Sequence, residues 1–321
     1  MSRVAAVVIG RNEGPRLRRC LLSMSGMFAP TVYVDSDSSD GSPAAAAALG
    51  AEVVNLSLAL PFTFGRGRNT GAARVLDLAP DTEFIQFFDA DSEMASGWCE
   101  SAVATLSSDA GIGAVWGRVR ERNPAGSVYD RLFEISFDPR THEPEMFGGL
   151  VMLRVAAYLD VGRYNESMRS FEDHELSFRM RQAGWQLRYL DAEMALHEAG
   201  MTRFSEWWRR ERRGGHARAQ QVALHRDHRG WLRAYGSIWF WAVALPAAAV
   251  GAAWPTHGAS LWLLFSYPLF GYRIYRRMRR RGIAATDAAL FASGRVIGKL
   301  PQLHGVVSFH LDALRGISRG S

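Results

Sequence analysis

The chain has 321 residues, 48% of them apolar and 22% charged, which supplies a sizeable core and excludes a disordered or collagen-like chain. Its two cysteines, Cys20 and Cys99, are far apart, which excludes a disulfide framework or a Cys-rich zinc site and makes a reducing compartment the expectation. The formal charge of +6 hides a division: residues 1–200 carry 19 Arg and 27 acids, net −8, whereas residues 201–321 carry 19 basic residues and 5 acids, net +14.

Residues 4–9 form a continuous apolar run, the pattern of a parallel strand covered on both faces and too short for a signal peptide. Gly10-Arg11-Asn12-Glu13-Gly14-Pro15 breaks it, and Leu17, Cys20, Leu21 and Met24 then fall at helical spacing. Residues 31–34 predict a second strand, ending in Asp35-Ser36-Asp37-Ser38-Ser39-Asp40-Gly41. Ser42 and Pro43 read as the N-cap and first residue of a helix to Leu49. Residues 52–56 predict a third strand, and Gly65-Arg66-Gly67-Arg68-Asn69 leads into a helix through about Leu78. Next comes Phe84-Ile-Gln-Phe-Phe-Asp-Ala-Asp91, a run of strand formers closed by two aspartates. Side chains alternate along a strand, so Asp89 and Asp91 share a side and Ala90 takes the other. Converging carboxylates repel each other, a cost that a divalent cation relieves; a polar strand end entering a turn is the plainer reading.

This β-α-β-α-β-α-β order predicts an α/β fold with a mainly parallel sheet and helices on both faces, whose ligands sit beyond the carboxyl ends of the strands. Those ends carry Arg11, Asn12 and Glu13, then Asp35 and Asp37, then Asp89 and Asp91. Residues 114–119 and 146–153 predict further strands, the latter with Gly148 and Gly149 allowing close backbone approach. Phe171-Glu172-Asp173-His174-Glu175 opens a helix that Gly184 ends; acids in a first turn suit the helix dipole in any case. Residues 185–190 resume as a strand, and Met194-Ala195-Leu196-His197 follows.

The composition changes near residue 201. Residues 201–235 hold nine arginines against three acids, with Trp207, Trp208 and Trp231 interleaved. Residues 237–254 are an uncharged apolar run of 18 and residues 259–272 another of 14, separated by Pro255-Thr256-His257-Gly258. A spanning helix needs about 20 apolar residues, so the first run nearly suffices and the second is short. Arginines flank both outer ends and are absent from the connector, the pattern of a hairpin with both ends in the cytoplasm. A re-entrant or interfacial pair, or two core helices of a soluble domain, are the alternatives. Arg273, Arg276, Arg277, Arg279, Arg280 and Arg281 follow at once, and residues 283–316 mix apolar and polar residues as a segment packed along a membrane surface would. The expected organisation is a domain over 1–200, a basic Arg/Trp-rich interfacial helical segment over 201–235, a transmembrane or re-entrant helical hairpin over 236–273, and a basic, partly amphipathic segment over 274–321.

Together the motifs over about residues 3–200 resemble the family 2 glycosyltransferases, which have the GT-A fold. Residues 4–13 resemble the family's opening strand and Asn-Glu turn, and Asp35-Ser36-Asp37 with the residues after it is similar to its nucleotide-binding Asp-rich loop. Arg68-Asn69-Thr70-Gly71 is similar to its Arg-Asn-x-Gly helix start. Asp89-Ala90-Asp91 matches its Asp-x-Asp motif, and Glu172-Asp173 with Leu176, Arg179 and Gly184 resembles its acceptor-side Glu-Asp motif. Each is weak alone; their order and spacing make the resemblance specific.

The resemblance implies an inverting transferase that moves a sugar from a nucleotide-diphosphate-sugar donor to an acceptor hydroxyl. Asn12, Glu13, Asp35, Asp37, Arg68 and Asp89 would lie on the donor side, with Asp35 on the base. Asp91, with Asp89 directly or through water and with His197, would hold Mn²⁺ or Mg²⁺; His197 reads equally as a hydrogen-bonded core histidine. Asp173 would be the general base, with Glu172, Gly148 and Gly149 on the acceptor side. Asp37 departs from the family, which often has glycine there. The Gln-x-x-Arg-Trp motif of processive members is absent, so transfer of one sugar is expected. The expected acceptor is lipid-linked or a cell-surface glycan, with membrane phospholipids as partners at the cytoplasmic face of a bacterial inner membrane. Nucleic acid is not an expected partner, because a hydrophobic hairpin directly follows the arginines and tryptophans. Two alternatives are a sugar nucleotidyltransferase, disfavoured by the lack of a Gly-rich, Lys-containing loop near the start, and a membrane-tethered nucleotide-sugar-binding scaffold without turnover.

Overall fold

In the computed structural model, which describes residues 3–57, 59–141 and 145–316, the first apolar run forms β1 (Val4–Gly10), with Ala5, Ala6, Val7 and Val8 fully buried. Next come α1 (Pro15–Ser23), β2 (Thr31–Asp35), α2 (Ser42–Ala48), β3 (Glu52–Asn55), α3 (Phe64–Leu78) and β4 (Phe84–Asp89). The remaining elements of the first two hundred residues are β5 (Ser92–Met94), α4 (Trp98–Ser108), β6 (Ile112–Glu121), α5 (Val128–Phe137), β7 (Val151–Arg154), α6 (Val155–Asp160), α7 (Glu172–Gln182) and β8 (Gln186–His197). The eight strands form one sheet in the order β3-β2-β1-β4-β7-β6-β8-β5. β3, β2, β1 and β4 are parallel, as the β-α alternation predicts. β7 runs antiparallel to both β4 and β6, β8 is parallel to β6, and β5 is antiparallel to β8.

α1 carries Leu17, Cys20 and Leu21 into the core at the predicted spacing, and Cys20 and Cys99 are both buried free thiols. α3 lies close against β1 and β2 because its second turn has no side chain at Gly71. A Cβ there would collide with Val7 and stand 2.9 Å from Val34 Cγ2. Gly71→Ala is therefore expected to destabilise the protein by about 1–3 kcal/mol despite alanine's better helix propensity, read as a lowered thermal midpoint.

Three local readings are corrected. α2 starts at Ser42 with Gly41 as its cap, because Ser42 Oγ is spent accepting from the Gly14 N–H (3.2 Å) and donating to Asp40 Oδ1 (2.6 Å). The strand expected over 146–153 is confined to β7, since two glycines at 148 and 149 offer no side chains to pack and residues 145–150 run irregularly. The two segments expected at 185–190 and 194–197 are one strand, β8, kept continuous by its pairing along β6.

The chain divides into two compact units, Met1–Asn123 with Glu143–Ala199, and Pro124–His142 with Gly200–Ser321. α5 falls in the second unit with the later helices, where Arg131 pairs with Asp287 and Phe133 lies 4.4 Å beneath the Arg210 guanidinium. This second unit is helical: α8 (Phe204–Leu224), α9 (Arg229–Trp239), a π-turn (Phe240–Ala244), α10 (Leu245–Gly251), a 3₁₀ segment (Ala259–Phe265), α11 (Ser266–Arg280), α12 (Ala285–Ile297) and α13 (Lys299–Leu314). The π-turn precedes Pro246, which has no N–H to give the carbonyl four residues back. Ala219, Ile238, Val306 and Phe309 form one small core, and Met278, Ile283 and Ala288 another. Among the described residues, Arg229–Gly251 is the one helical stretch long and apolar enough to cross a membrane, and 17% of its apolar window is buried. Beyond it, Trp254 (92%), Trp262 (70%) and Phe265 (63%) are largely exposed.

Candidate active site

The site grows from the end of β4. Asp89 Oδ1 accepts a hydrogen bond from Arg68 Nη2 at 2.8 Å, and Arg68 Nη1 pairs with Glu172, the first residue of α7. The Arg68 side chain is 2% exposed, and its guanidinium lies 5.8 Å and 5.5 Å from the ring centroids of Phe64 and Tyr164. One buried cation thus ties a strand end to a helix start. Arg68 Nε and Glu172 Oε2 are buried without a hydrogen-bond partner among the described residues. Gly149 completes the arrangement: a Cβ there would stand 2.5 Å from Arg68 Nη2 and 2.7 Å from Asp89 Oδ2, so the ion pair occupies the space a side chain would need. Arg68, expected at the donor, and Glu172 and Gly149, expected at the acceptor, are therefore found bracing the site from within.

Asp173 is held differently. Its Oδ1 accepts from the His174 N–H (2.7 Å), while Oδ2 accepts no hydrogen bond from a described residue. Gly148 is its neighbour; a Cβ at that glycine would make ordinary contact, 3.9 Å from Asp173 Oδ2. Burial raises the Asp173 carboxyl above the ordinary aspartate range, the Arg68 charge and the His174 amide pull it back, and Asp89 adds to the rise. Burial also raises Glu172, reinforced by the Asp173 charge and opposed by Arg68. Phe171, just before these acids, has φ 61°, a left-handed conformation that strains a bulky residue by about 1–3 kcal/mol.

Asp91 faces the other way along the rim. Its Oδ2 lies 3.4 Å from His197 Nε2, and His197 Nδ1 lies 3.4 Å from Glu121 Oε2. Burial disfavours the imidazolium, but hydrogen bonds and charge from Asp91 and then Glu121 outweigh it and carry His197 up to about 9. Glu13 is pushed up to about 7, by burial first, with Arg16 opposing and Asp91 and Asp89 adding. Glu121 was not foreseen from the sequence. It ends β6 outside any motif, and only the β6–β8 register sets it beside His197.

Do these residues suit a divalent cation? Two donors bound side by side at roughly 2.1 Å from one cation stand roughly 3 Å apart, close to the Asp91–His197 opening. Glu121 behind the imidazole is the carboxylate that commonly orients a ligating histidine. Among the described residues no group of three or more His, Cys, Asp and Glu could hold a metal, and Asp89, expected beside Asp91, is engaged by Arg68. The pair fits a cation whose remaining positions belong to substrate phosphates and water, as is usual for Mg²⁺.

The loop after β2 is self-supporting. Asn12 Oδ1 accepts from the Ser39 N–H (2.7 Å), and the Asn12 N–H donates to Ser38 Oγ (2.8 Å). Asp35, 2% exposed, accepts from the Tyr33 hydroxyl (2.9 Å) and the Ser38 N–H (2.8 Å). Asp37 has φ 68° and lies 3.8 Å from Arg11; its short polar side chain tolerates the left-handed conformation that the family's glycine would take.

A parallel-sheet rim with an acidic loop after the second strand, an Asp-x-Asp at the fourth and a paired Glu-Asp helix start defines a GT-A glycosyltransferase. Residues 6–162, just under half of the chain, match the model of Glycosyl transferase family 2. The chain is 27% identical over 322 residues to a pre-mycofactocin glycosyltransferase of Mycobacterium tuberculosis, covering 96% of this chain and 64% of that protein; it thus spans less than two thirds of that relative's length. In structure it is similar to a mannosyltransferase from Pyrobaculum calidifontis in complex with GDP-Man and Mn²⁺ (TM-score 0.56, 17% identity, 97% of this chain and 87% of that one). It is also similar to glucosyl-3-phosphoglycerate synthase from Mycobacterium tuberculosis in complex with Mn²⁺, UDP-glucose and phosphoglyceric acid (TM-score 0.50, 14% identity, 69% of this chain and 79% of that one). These likenesses at low identity concern the fold.

Proposed function

We propose that the chain moves one sugar, with inversion, from a nucleotide-diphosphate-sugar to a hydroxyl of a lipid-linked or cell-surface glycan, with Asp173 as the general base. The observation carrying this is that the acids beside Asp173 are engaged, Asp89 and Glu172 by Arg68, whereas Asp173 Oδ2 is uncommitted. Asp173 Oδ2 takes the proton of the acceptor hydroxyl as that oxygen attacks the anomeric carbon opposite the departing diphosphate. Its raised proton affinity suits the task, since a base works best with a pKa near the working pH. Arg68 opposes the protonation that burial favours at Asp89 and Glu172 and holds both in place, and thereby fixes the start of α7 that presents Asp173. Asp91, and His197 once it gives up the proton that Asp91 and Glu121 favour on it, would hold Mn²⁺ or Mg²⁺, which when bound supplies Lewis-acid neutralisation of the leaving diphosphate. Asp35 and Asn12 shape the loop that receives the nucleotide.

Membrane attachment rests on the exposed apolar arm Arg229–Gly251 and on Trp254, Trp262 and Phe265, followed by the arginines of α11; the catalytic unit then works at the cytoplasmic face of a bacterial inner membrane. The full chain in detergent, screened against nucleotide-sugars with Mn²⁺, is expected to show thermal stabilisation and release of the nucleoside diphosphate with one donor class. Asp91→Ala is expected to abolish both Mn²⁺-dependent effects. Unchanged release from that variant would remove the cation site from the mechanism.

A further inference from the structure

The basic residues of α11 differ from those of the sheet-bearing unit, where Arg68, Arg74 and Arg179 each sit on a carboxylate. Arg273, Arg276, Arg277 and Arg280 fall at i, i+3, i+4 and i+7, one face of the helix. None forms an ion pair with a carboxylate among the described residues; Arg276 donates to the Tyr272 hydroxyl (3.3 Å) and lies 5.8 Å from the centre of its ring. With Leu269 and Tyr272 these four line an open cleft of about 630 Å³. A second cleft of about 480 Å³, between α11 and α12, has no charged lining residue; Pro268, Tyr275, Ala292, Val296 and Ile297 are among its walls. Tyr272 lines both.

A compact cluster of guanidinium groups with no carboxylate partner among the described residues, beside a charge-free groove, is complementary to one kind of molecule. We propose that the two clefts form a single amphiphile site for a phospholipid of net negative headgroup charge, its phosphate on Arg273, Arg276, Arg277 and Arg280 and its chain along the groove between α11 and α12. Guanidinium forks match phosphate oxygens in pairs, which suits a seated headgroup better than a diffuse surface field does. Each volume lies within the roughly 300–1,000 Å³ of ordinary ligand sites. The groove is also reached from the membrane-facing tip, for Leu269 and Tyr272 are more than half exposed and follow Phe265 in the chain. The inference rests on the membrane reading above and adds to it a defined headgroup site.

Native mass spectrometry of the full chain in detergent, with phosphatidylglycerol added, tests it. One retained phosphatidylglycerol per chain is expected, with phosphatidylcholine not retained. The triple change Arg276→Gln, Arg277→Gln and Arg280→Gln is expected to weaken retention at least about ten-fold, whereas the same loss of charge at Arg226, Arg229 and Arg233 is not. Ala289→Phe, at an exposed position lining the groove, is expected to weaken it without loss of folding. Equal losses from both triple variants, or glycerol phosphate binding as tightly as the lipid, would overturn the site. Flotation with phosphatidylcholine–phosphatidylglycerol vesicles separates the two readings. A wild-type chain that floats but retains no lipid overturns the headgroup site alone, and one that does not float overturns membrane attachment as well.

Discussion

Asp173→Asn is expected to lower the rate of sugar transfer by about 10²–10⁴-fold, the usual contribution of a general base, while donor binding is kept. Asparagine has the same shape, and its Oδ1 can still accept the His174 N–H that anchors Asp173, so the start of α7 is preserved. It cannot take a proton. The pH profile gives a second readout. Burial places the Asp173 carboxyl above its ordinary range, so the wild-type rate is expected to rise with pH across a limb displaced above the usual aspartate value, as the base loses its proton. That limb is expected to vanish in the variant. Stability should move the opposite way to activity. A carboxyl whose folded-state pKa is raised binds its proton more tightly in the folded than in the unfolded state, so its contribution declines as pH rises through that window. At neutral pH the Asn variant is therefore expected to be at least as stable as the wild type and nearly inactive. Unchanged turnover would remove Asp173 from the chemistry. Inactivity with a lowered thermal midpoint would mark it as a structural residue.

The first half of the sheet was legible because each element is written in consecutive residues. The 4–9 run predicts a buried parallel strand and forms one, and the strand formers before Asp89 form β4. The same holds for the acids at strand ends, whose placement follows from β-α alternation. What joins those acids was not legible. Arg68 reaches Asp89 across 21 residues and Glu172 across 104, and nothing in the spacing marks which carboxylates share a guanidinium. Glu121 was hidden for the same reason, since β6 and β8 become neighbours only when the sheet forms. Gly149 shows the converse: the glycine pair announced a close approach but not which atoms approach, and these proved to be an ion pair. α5 was not read from the sequence as an element at all, and its contacts with Asp287 and Arg210 place it with the helical unit.

Removal of the buried cation is the other change of large expected effect. Arg68→Met is expected to destabilise the protein by about 3–5 kcal/mol, the range for breaking a buried ion pair from one side. Methionine fills much of the volume but leaves Asp89 and Glu172 without their shared cation, and Gly149 leaves no room for a substitute side chain nearby. The two carboxyls would then gain protons, because Arg68 is the main influence opposing burial at Asp89, and at Glu172 it opposes both burial and the Asp173 charge. The same loss bears on the base: with Arg68 gone, the Asp173 carboxyl rises further, and the acid limb of the rate should move to higher pH. Arg68→Lys keeps the charge but offers a single ammonium where two nitrogens now serve two acids, so an intermediate loss is expected. Glu172→Gln in the Arg68→Met background should recover part of the stability, since it removes one of the two carboxyls left without a cation. Denaturant midpoints of the four proteins, with rate–pH profiles of those that fold, measure the coupling. A wild-type midpoint in Arg68→Met with an unmoved acid limb would show that the guanidinium does not hold the two halves of the site together.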